Sequence, residues 1–189
     1  MQRTLWWVVA TAGCGAAAAD VEAPAPVSGR VLEAGCGTTY DTLQAAVNAA
    51  VSGDAIDVCP GTYDERVTVA GKQLTLRSTG GAAVTTLNGA GWGGALVVRA
   101  GADVTVDGLT IVNGRADVGG DLSCSDSALQ LRNSVLSAGR ATRGAGLGAV
   151  NCTGVVEANT FEGDDAWWSG GGAYVQGAGL VIRNNVFRG

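Results

Sequence analysis

Four stretches of the chain, VTVDGLTIVNG (104–114), LQLRNSVLSAG (129–139), GVVEANTFEG (154–163) and LVIRNNVFRG (180–189), align without gaps through their first eight residues. Their starts at Val104, Leu129, Gly154 and Leu180 keep a nearly constant step, the last one longer than the others by a single residue. A period of roughly 25 residues signals a solenoid, and the period-2 alternation within each repeat makes each one a coil of strands. The alignment columns name the expected interior: Val104, Leu129, Gly154 and Leu180; Val106, Leu131, Val156 and Ile182; Ile111, Leu136, Phe161 and Phe187. In parallel pairing successive coils lie about 4.8 Å apart, so these side chains should stack like upon like into a dry axis. Each buried Val or Leu then contributes about 1.5–3 kcal/mol.

Outside that axis, Asp107, Arg132, Glu157 and Arg183 follow the second column and should face solvent with alternating sign. They would suit a charged polymer as a binding strip. As architecture they form a cross-strand charge ladder worth about 0.2–1 kcal/mol per pair, and this is the expectation. Asn159 and Asn185 share a corner column with Leu109 and Ser134, where stacked amides bonded to neighbouring backbone are expected to be structural.

Upstream of the repeats the period changes. Leu43, Ala46, Val47, Ala50 and Val51 fall on one helical stripe within residues 41–51, with Asp41 and Gln44 spaced as a capping box and Gly53 placed to end the helix. A coil has no interior of its own, so this short helix is the expected amino-terminal lid. From Asp54 onward period 2 takes over, as in Ala55–Val58, Gln73–Leu76 and Ala95–Val98.

Composition narrows the function classes. The chain has 189 residues, 47% hydrophobic and 15% charged, which suits one domain with a sizeable core. Its 31 glycines and 3 prolines indicate many turns. A formal charge of −5 and a pI near 4.6 disfavour nucleic acid and anionic membrane surfaces as partners. Histidine is absent, so catalysis would fall to carboxylates, arginines or a bound metal.

Residues 1–14 read as an export signal: Arg3 is followed by the apolar run Leu5–Ala10 and by Thr11-Ala12-Gly13-Cys14. That ending resembles a bacterial lipoprotein box, with lipid expected on Cys14, although Thr11 departs from the usual aliphatic residue. Cleavage near residues 16–19 to give a soluble secreted protein is the alternative. Residues 15–35 are expected to be a linker, small and proline-containing at their start. Setting Cys14 aside leaves Cys36, Cys59, Cys124 and Cys152, an even number suited to an oxidising compartment. Three connectivities are open, and nearness in the repeat favours Cys36 with Cys59 and Cys124 with Cys152.

The stretch YDTLQAAVNAAVSGDAIDVCPGTYDERVTVAGKQLTLRS (40–78) and the N-x-F-x-G corners at 159–163 and 185–189 make residues 36–189 resemble a right-handed parallel β-helix of the pectin lyase-like superfamily, of an exported bacterial type. The resemblance implies an all-β solenoid with a capping α-helix and links to polysaccharide chemistry. Gly61-Thr62-Tyr63-Asp64-Glu65 fits the Gly-x-Tyr-x-Glu pattern of pectin methylesterases. The later motifs that carry those enzymes' glutamine, aspartates and arginine have no counterpart here. Polygalacturonase motifs need a histidine, and the proline-containing pectate lyase segment is missing, since no proline follows Pro60.

The expected ligand contact is Asp164-Asp165-Ala166-Trp167-Trp168-Ser169, because indole faces stack on sugar rings while carboxylates accept hydroxyl hydrogens. No cofactor is expected, with calcium on Asp117, Asp121 and Asp126 the alternative. The columns that end at Ile182 and Phe187 imply further coils beyond Gly189. Two functions follow: an exported, surface-anchored β-helix for structure, adhesion or glycan binding, or a lyase or esterase acting on polysaccharide. For the lipid, Cys14→Ala should move the protein from the membrane fraction to the soluble fraction, read by detergent phase partitioning; unchanged partitioning would exclude the anchor.

Overall fold

Each period-2 run becomes a strand that pairs with its counterpart one lap away, so neighbours in space are distant in sequence. The computed structural model describes residues 29–37, 39–91, 93–177 and 179–189. Strand β1 (Val31–Ala34) and helix α1 (Leu43–Ala49) precede a first lap of β2 (Asp54–Val58), β3 (Gly61–Asp64) and β4 (Val67–Ala70). The second lap holds β5 (Gln73–Ser78), β6 (Thr85–Asn88) and β7 (Leu96–Arg99). The third has β8 (Asp103–Asp107), β9 (Thr110–Val112), β10 (Arg115–Val118) and β11 (Leu122–Ser125). The fourth has β12 (Ala128–Arg132), β13 (Val135–Ser137), β14 (Arg140–Arg143) and β15 (Leu147–Val150). The fifth has β16 (Thr153–Glu157), β17 (Thr160–Glu162), β18 (Asp165–Ser169) and β19 (Ala173–Gln176), and β20 (Leu180–Arg183) and β21 (Val186–Arg188) close the series.

These strands form a right-handed parallel β-helix of about six turns. One face is β1-β2-β5-β8-β12-β16-β20, a second is β3-β6-β9-β13-β17-β21, and a third is β4-β7-β11-β15-β19. A fourth, smaller sheet, β10-β14-β18, belongs to the third to fifth laps alone.

The expected columns are in register. Val106 pairs with Leu131, Leu131 with Val156, and Val156 with Ile182. The column also reaches back through Leu76 and Ile56 to Leu32. Val106, Leu131 and Val156 are fully buried, and Ile182, in the last lap, is 38% exposed. Phe161 stacks on Phe187 with ring centroids 4.7 Å apart. On the outside Arg132 bonds Asp107 at 2.9 Å, Arg183 bonds Glu157 at 2.8 Å, and Arg77 pairs with Asp57, so the charge column is a ladder. The corner amides are structural too. Asn159 Oδ1 accepts from Ser134 N and Asn185 Oδ1 from Asn159 N, each at 2.9 Å, while the left-handed corner residue sits one place earlier, at Asn133, Ala158 and Asn184.

Several expectations need correction at the amino-terminal end. Residues 31–34, assigned to the linker, are strand β1 in register with β2, so the stack starts before Cys36. The helix is shorter than 41–51, and its N-cap is Thr42, whose hydroxyl accepts from Ala45 N. Gln44 is not part of a capping box. Its amide spans the edge of β4, accepting from Thr68 N at 2.7 Å and donating to Thr68 O at 3.3 Å. Gly53 does not end the helix, which stops at Ala49 with Ala50 extended.

The caps come from other laps. Glu65 accepts from Leu43 N at 2.6 Å and Gln44 N at 2.9 Å, and Lys72 Nζ donates to Val47 O, Asn48 O and Ala50 O. Each charge complements the helix end it meets. The Tyr63 hydroxyl lies 2.9 Å from Ala34 O and 2.8 Å from Cys59 O, in a space that Gly35 leaves open. The Gly-x-Tyr-x-Glu pattern therefore builds the lid of the solenoid. Both disulfides pair as favoured, Cys36–Cys59 and Cys124–Cys152, with Cα separations of 5.6 and 6.3 Å.

Truncating a stacked aliphatic removes buried surface and leaves a hole that rigid neighbouring laps cannot fill. Leu131→Ala should cost about 2–5 kcal/mol. Val181→Ala, at a half-exposed position on the same face, should cost within about 0.5 kcal/mol. Urea denaturation of the two variants tests this, and equal costs would contradict a dry axis.

Candidate ligand-binding groove

The fourth sheet arises where the chain leaves the triangular path. The second lap has no strand between β6 and β7 among its described residues, whereas the next three laps each insert a strand between their second and third faces. These excursions leave at Gly114, Gly139 and Asp164 and return at Asp121, Gly146 and Gly172. At Gly119, Gly144 and Gly170 the backbone reverses with φ of 74°, 58° and 66°, which glycine adopts without strain. A Cβ on Gly148, on the outer side of β15, would come within 2.6 Å of Val118 Cγ1. The end of β10 thus lies directly on the third face.

The outer side of this sheet carries polar columns. Arg115, Arg140 and Asp165 are in register, and next to them the Thr142 hydroxyl donates to Asp117 at 3.3 Å. Two adjoining hollows of about 310 and 550 Å³ run along it, with Arg115, Arg140 and Asp165 lining both, Trp167 edging the larger, and Gly91 from the second-lap loop forming the wall. Arg115 and Arg140 are exposed and form no salt bridge among the described residues.

The tandem tryptophans owe their position to one extra residue. Ala141 pairs with Ala166 but Arg143 pairs with Ser169, so between these two pairs β18 holds one residue more than β14. The bulge at Trp167-Trp168 therefore absorbs the longer step of the last repeat. It also breaks the alternation of the strand, so consecutive indoles both face solvent, 88% and 77% exposed. Arg143 sits 5.5 Å from the Trp168 ring and 5.6 Å from that of Tyr174, which holds the second indole against the sheet.

Behind the groove, at the neck of the excursions, Asp121 is fully buried. Its Oδ1 accepts from Gly114 N at 3.0 Å, and Asp164 Oδ1 accepts from Gly139 N at 3.0 Å. Their Oδ2 atoms are buried with no other donor, and the two carboxyls interact with each other. Burial pushes both carboxyls up, Asp121 to about 9 and Asp164 to about 6.

Of the expected ligand residues, Asp165, Trp167 and Trp168 lie on the exposed sheet. Asp164 does not: its side chain turns inward to Asp121, with Oδ1 accepting from Gly139 N. The calcium candidates do not converge. Asp117 takes the Thr142 hydroxyl, Asp121 is in the neck, and Asp126 takes the Asn151 amide at 3.0 Å. Among the described residues no three acidic or cysteine side chains gather to hold a metal ion. Cys14 lies outside the described residues. Arg115 and Arg140 escaped the sequence reading, although their separation continues the repeat and marks them as one column.

No family model and no curated protein matches the sequence. Among solved structures, the pectin methylesterase from Aspergillus niger in a penultimately deglycosylated form is similar at 20% identity with a TM-score of 0.56, the match covering 86% of this chain and 59% of that one. An aspartate-to-alanine mutant of a pectin methylesterase, in complex with a hexasaccharide, is similar at 16% identity and a TM-score of 0.54, covering 87% of this chain and 67% of that one. The chain thus spans about 59% of the length of the Aspergillus enzyme, and at these identities the likeness is one of fold.

Proposed function

We propose that this chain is an exported, surface-anchored β-helix that binds an acidic polysaccharide along the outer side of β10, β14 and β18, without turning it over. The observation that carries this reading is the stacking of Arg115 on Arg140, free of carboxylate partners among the described residues, beside the exposed Trp167. A guanidinium takes a sugar carboxylate through two parallel hydrogen bonds, and an indole face covers the apolar side of a sugar ring. Asp117 and Asp165 supply acceptors for hydroxyl hydrogens. The net charge of −5 opposes a polyanion at long range. Salt screens that field beyond about 8 Å at physiological strength, and contact is then decided inside the groove.

The export signal and the lipid on Cys14 belong to the same reading, since a rigid rod tethered at a bacterial surface presents the groove outward. A second reading, a polysaccharide-active enzyme, is favoured by the fold likeness to two pectin methylesterases.

Titration calorimetry with polygalacturonate and with partly methyl-esterified pectin separates the two. Binding that weakens about tenfold or more in each of Arg140→Gln and Trp167→Ala, about 1.4 kcal/mol apiece, is the expected result. Wild-type affinity in both variants would remove the groove from the function. Release of methanol, or of unsaturated products with or without calcium, would replace the binding role with the enzymatic one.

A further inference from the structure

Asp121 and Asp164 belong to different laps and different columns. Asp121 enters the neck from the third lap, on the returning side, and Asp164 from the fifth, on the departing side. The fourth lap between them has glycine at both corresponding positions, Gly139 and Gly146. A Cβ on Gly139 would stand 2.7 Å from Asp121 Oδ2, and one on Gly146 would press on Asp164 Oδ2. The two carboxyls therefore meet diagonally across an intervening lap, in a space kept open by absent side chains. Each Oδ1 is taken by a backbone N–H, the Ser137 backbone of β13 also bears on Asp121, and neither Oδ2 has a hydrogen-bond donor among the described residues.

Two carboxylates cannot face each other unscreened, because both would be desolvated and mutually repelled. One shared proton turns the contact into a charge-assisted hydrogen bond. We infer that Asp121 and Asp164 form a proton-sharing clasp that holds the three-stranded excursion sheet against the body of the solenoid, and that loss of the shared proton loosens this sheet. The clasp closes the third-lap excursion at its base, Gly114 to Asp121, and ties the fifth lap to the fourth through Gly139. It holds whether or not the groove binds a glycan.

The other charge bearing on the pair comes from β17, where Glu162 raises Asp164 further and is itself 3.8 Å from Arg188. From β10, β14 and β15 and their turns the pair meets Gly114, Gly139, Ala145 and Gly146. Arg140 and Asp165 lie on the far side, in the groove. Both carboxyls hold protons more tightly folded than unfolded, where an aspartate titrates near about 3.9. Their contribution is thus fully present below about pH 4 and declines as the pH rises, Asp164 releasing through about 6 and Asp121 through about 9.

The absence of histidine leaves few other side chains to titrate in that window. Urea denaturation of the full chain from pH 6 to 9 should show the folded-to-unfolded ratio falling about tenfold per pH unit. Hydrogen exchange, corrected for the intrinsic pH effect, should show protection lost first in peptides spanning 115–118 and 140–143, ahead of 129–132. Asp121→Asn supplies a permanent amide donor to Asp164 and should flatten the profile over that range; Asp164→Asn, by the same logic toward Asp121, is the second variant should the first fail to fold. A flat wild-type profile would overturn the clasp, as would a slope that persists in a folded Asn variant or protection lost evenly across all four sheets.

Discussion

The structure depends on one constraint: every lap must return to the same register about 4.8 Å above the last, so that each inward side chain lands on its counterpart. Where that holds, burial is continuous, as in the column from Leu32 to Val156. The corners obey the same rule in polar form. Asn159 and Asn185 each take an N–H from the lap before, so that backbone groups freed at the turn are satisfied by side chains. Edge groups at the amino-terminal end are met by α1, with Gln44 bonding the edge of β4 as a further strand would.

The candidate groove lies where that regularity is relaxed. Three laps carry an additional strand, and the resulting sheet rests on the third face because Gly148 allows it. One lap carries one residue more than its neighbours, and that residue falls in the Trp167-Trp168 bulge, which turns a buried-exposed alternation into two adjacent exposed rings. Arg115 and Arg140 on the same sheet form no ion pair among the described residues, although Arg140 is in register with Asp165. By contrast the outward column of the first face is consumed in its own ion pairs.

Much of the solenoid was legible in the residues, and the site only partly. The regular laps from Val104 onward were readable because equal spacing keeps equal residues in line. The earlier laps were not, since the step from Asp54 to its partner Leu74 is much shorter than the step from Leu74 to Val104. Strand β1 was hidden by its neighbours' linker-like composition. The contacts of Glu65 and Lys72 with the helix ends were missed because these residues arrive from later in the chain, and the local N-cap is Thr42 where the pair Asp41 and Gln44 had the spacing of a capping box. In the candidate site, Trp167, Trp168 and Asp165 were found from composition, and Arg115 and Arg140 were overlooked for want of an aromatic or acidic signal beside them.

By itself the sequence determined the period, and with it the parallel winding, the like-on-like interior and the outward charge ladder, because a repeat of constant length sets each residue against its counterparts in the laps above and below. Only the tertiary structure decided that Asp164 turns away from its neighbours Asp165 and Trp167 to meet Asp121. That contact joins two laps across a third, and whether it forms depends on where an excursion departs, where it returns, and whether the lap between has side chains in the way. Those are properties of space filled in three dimensions, and no periodicity along the chain encodes them.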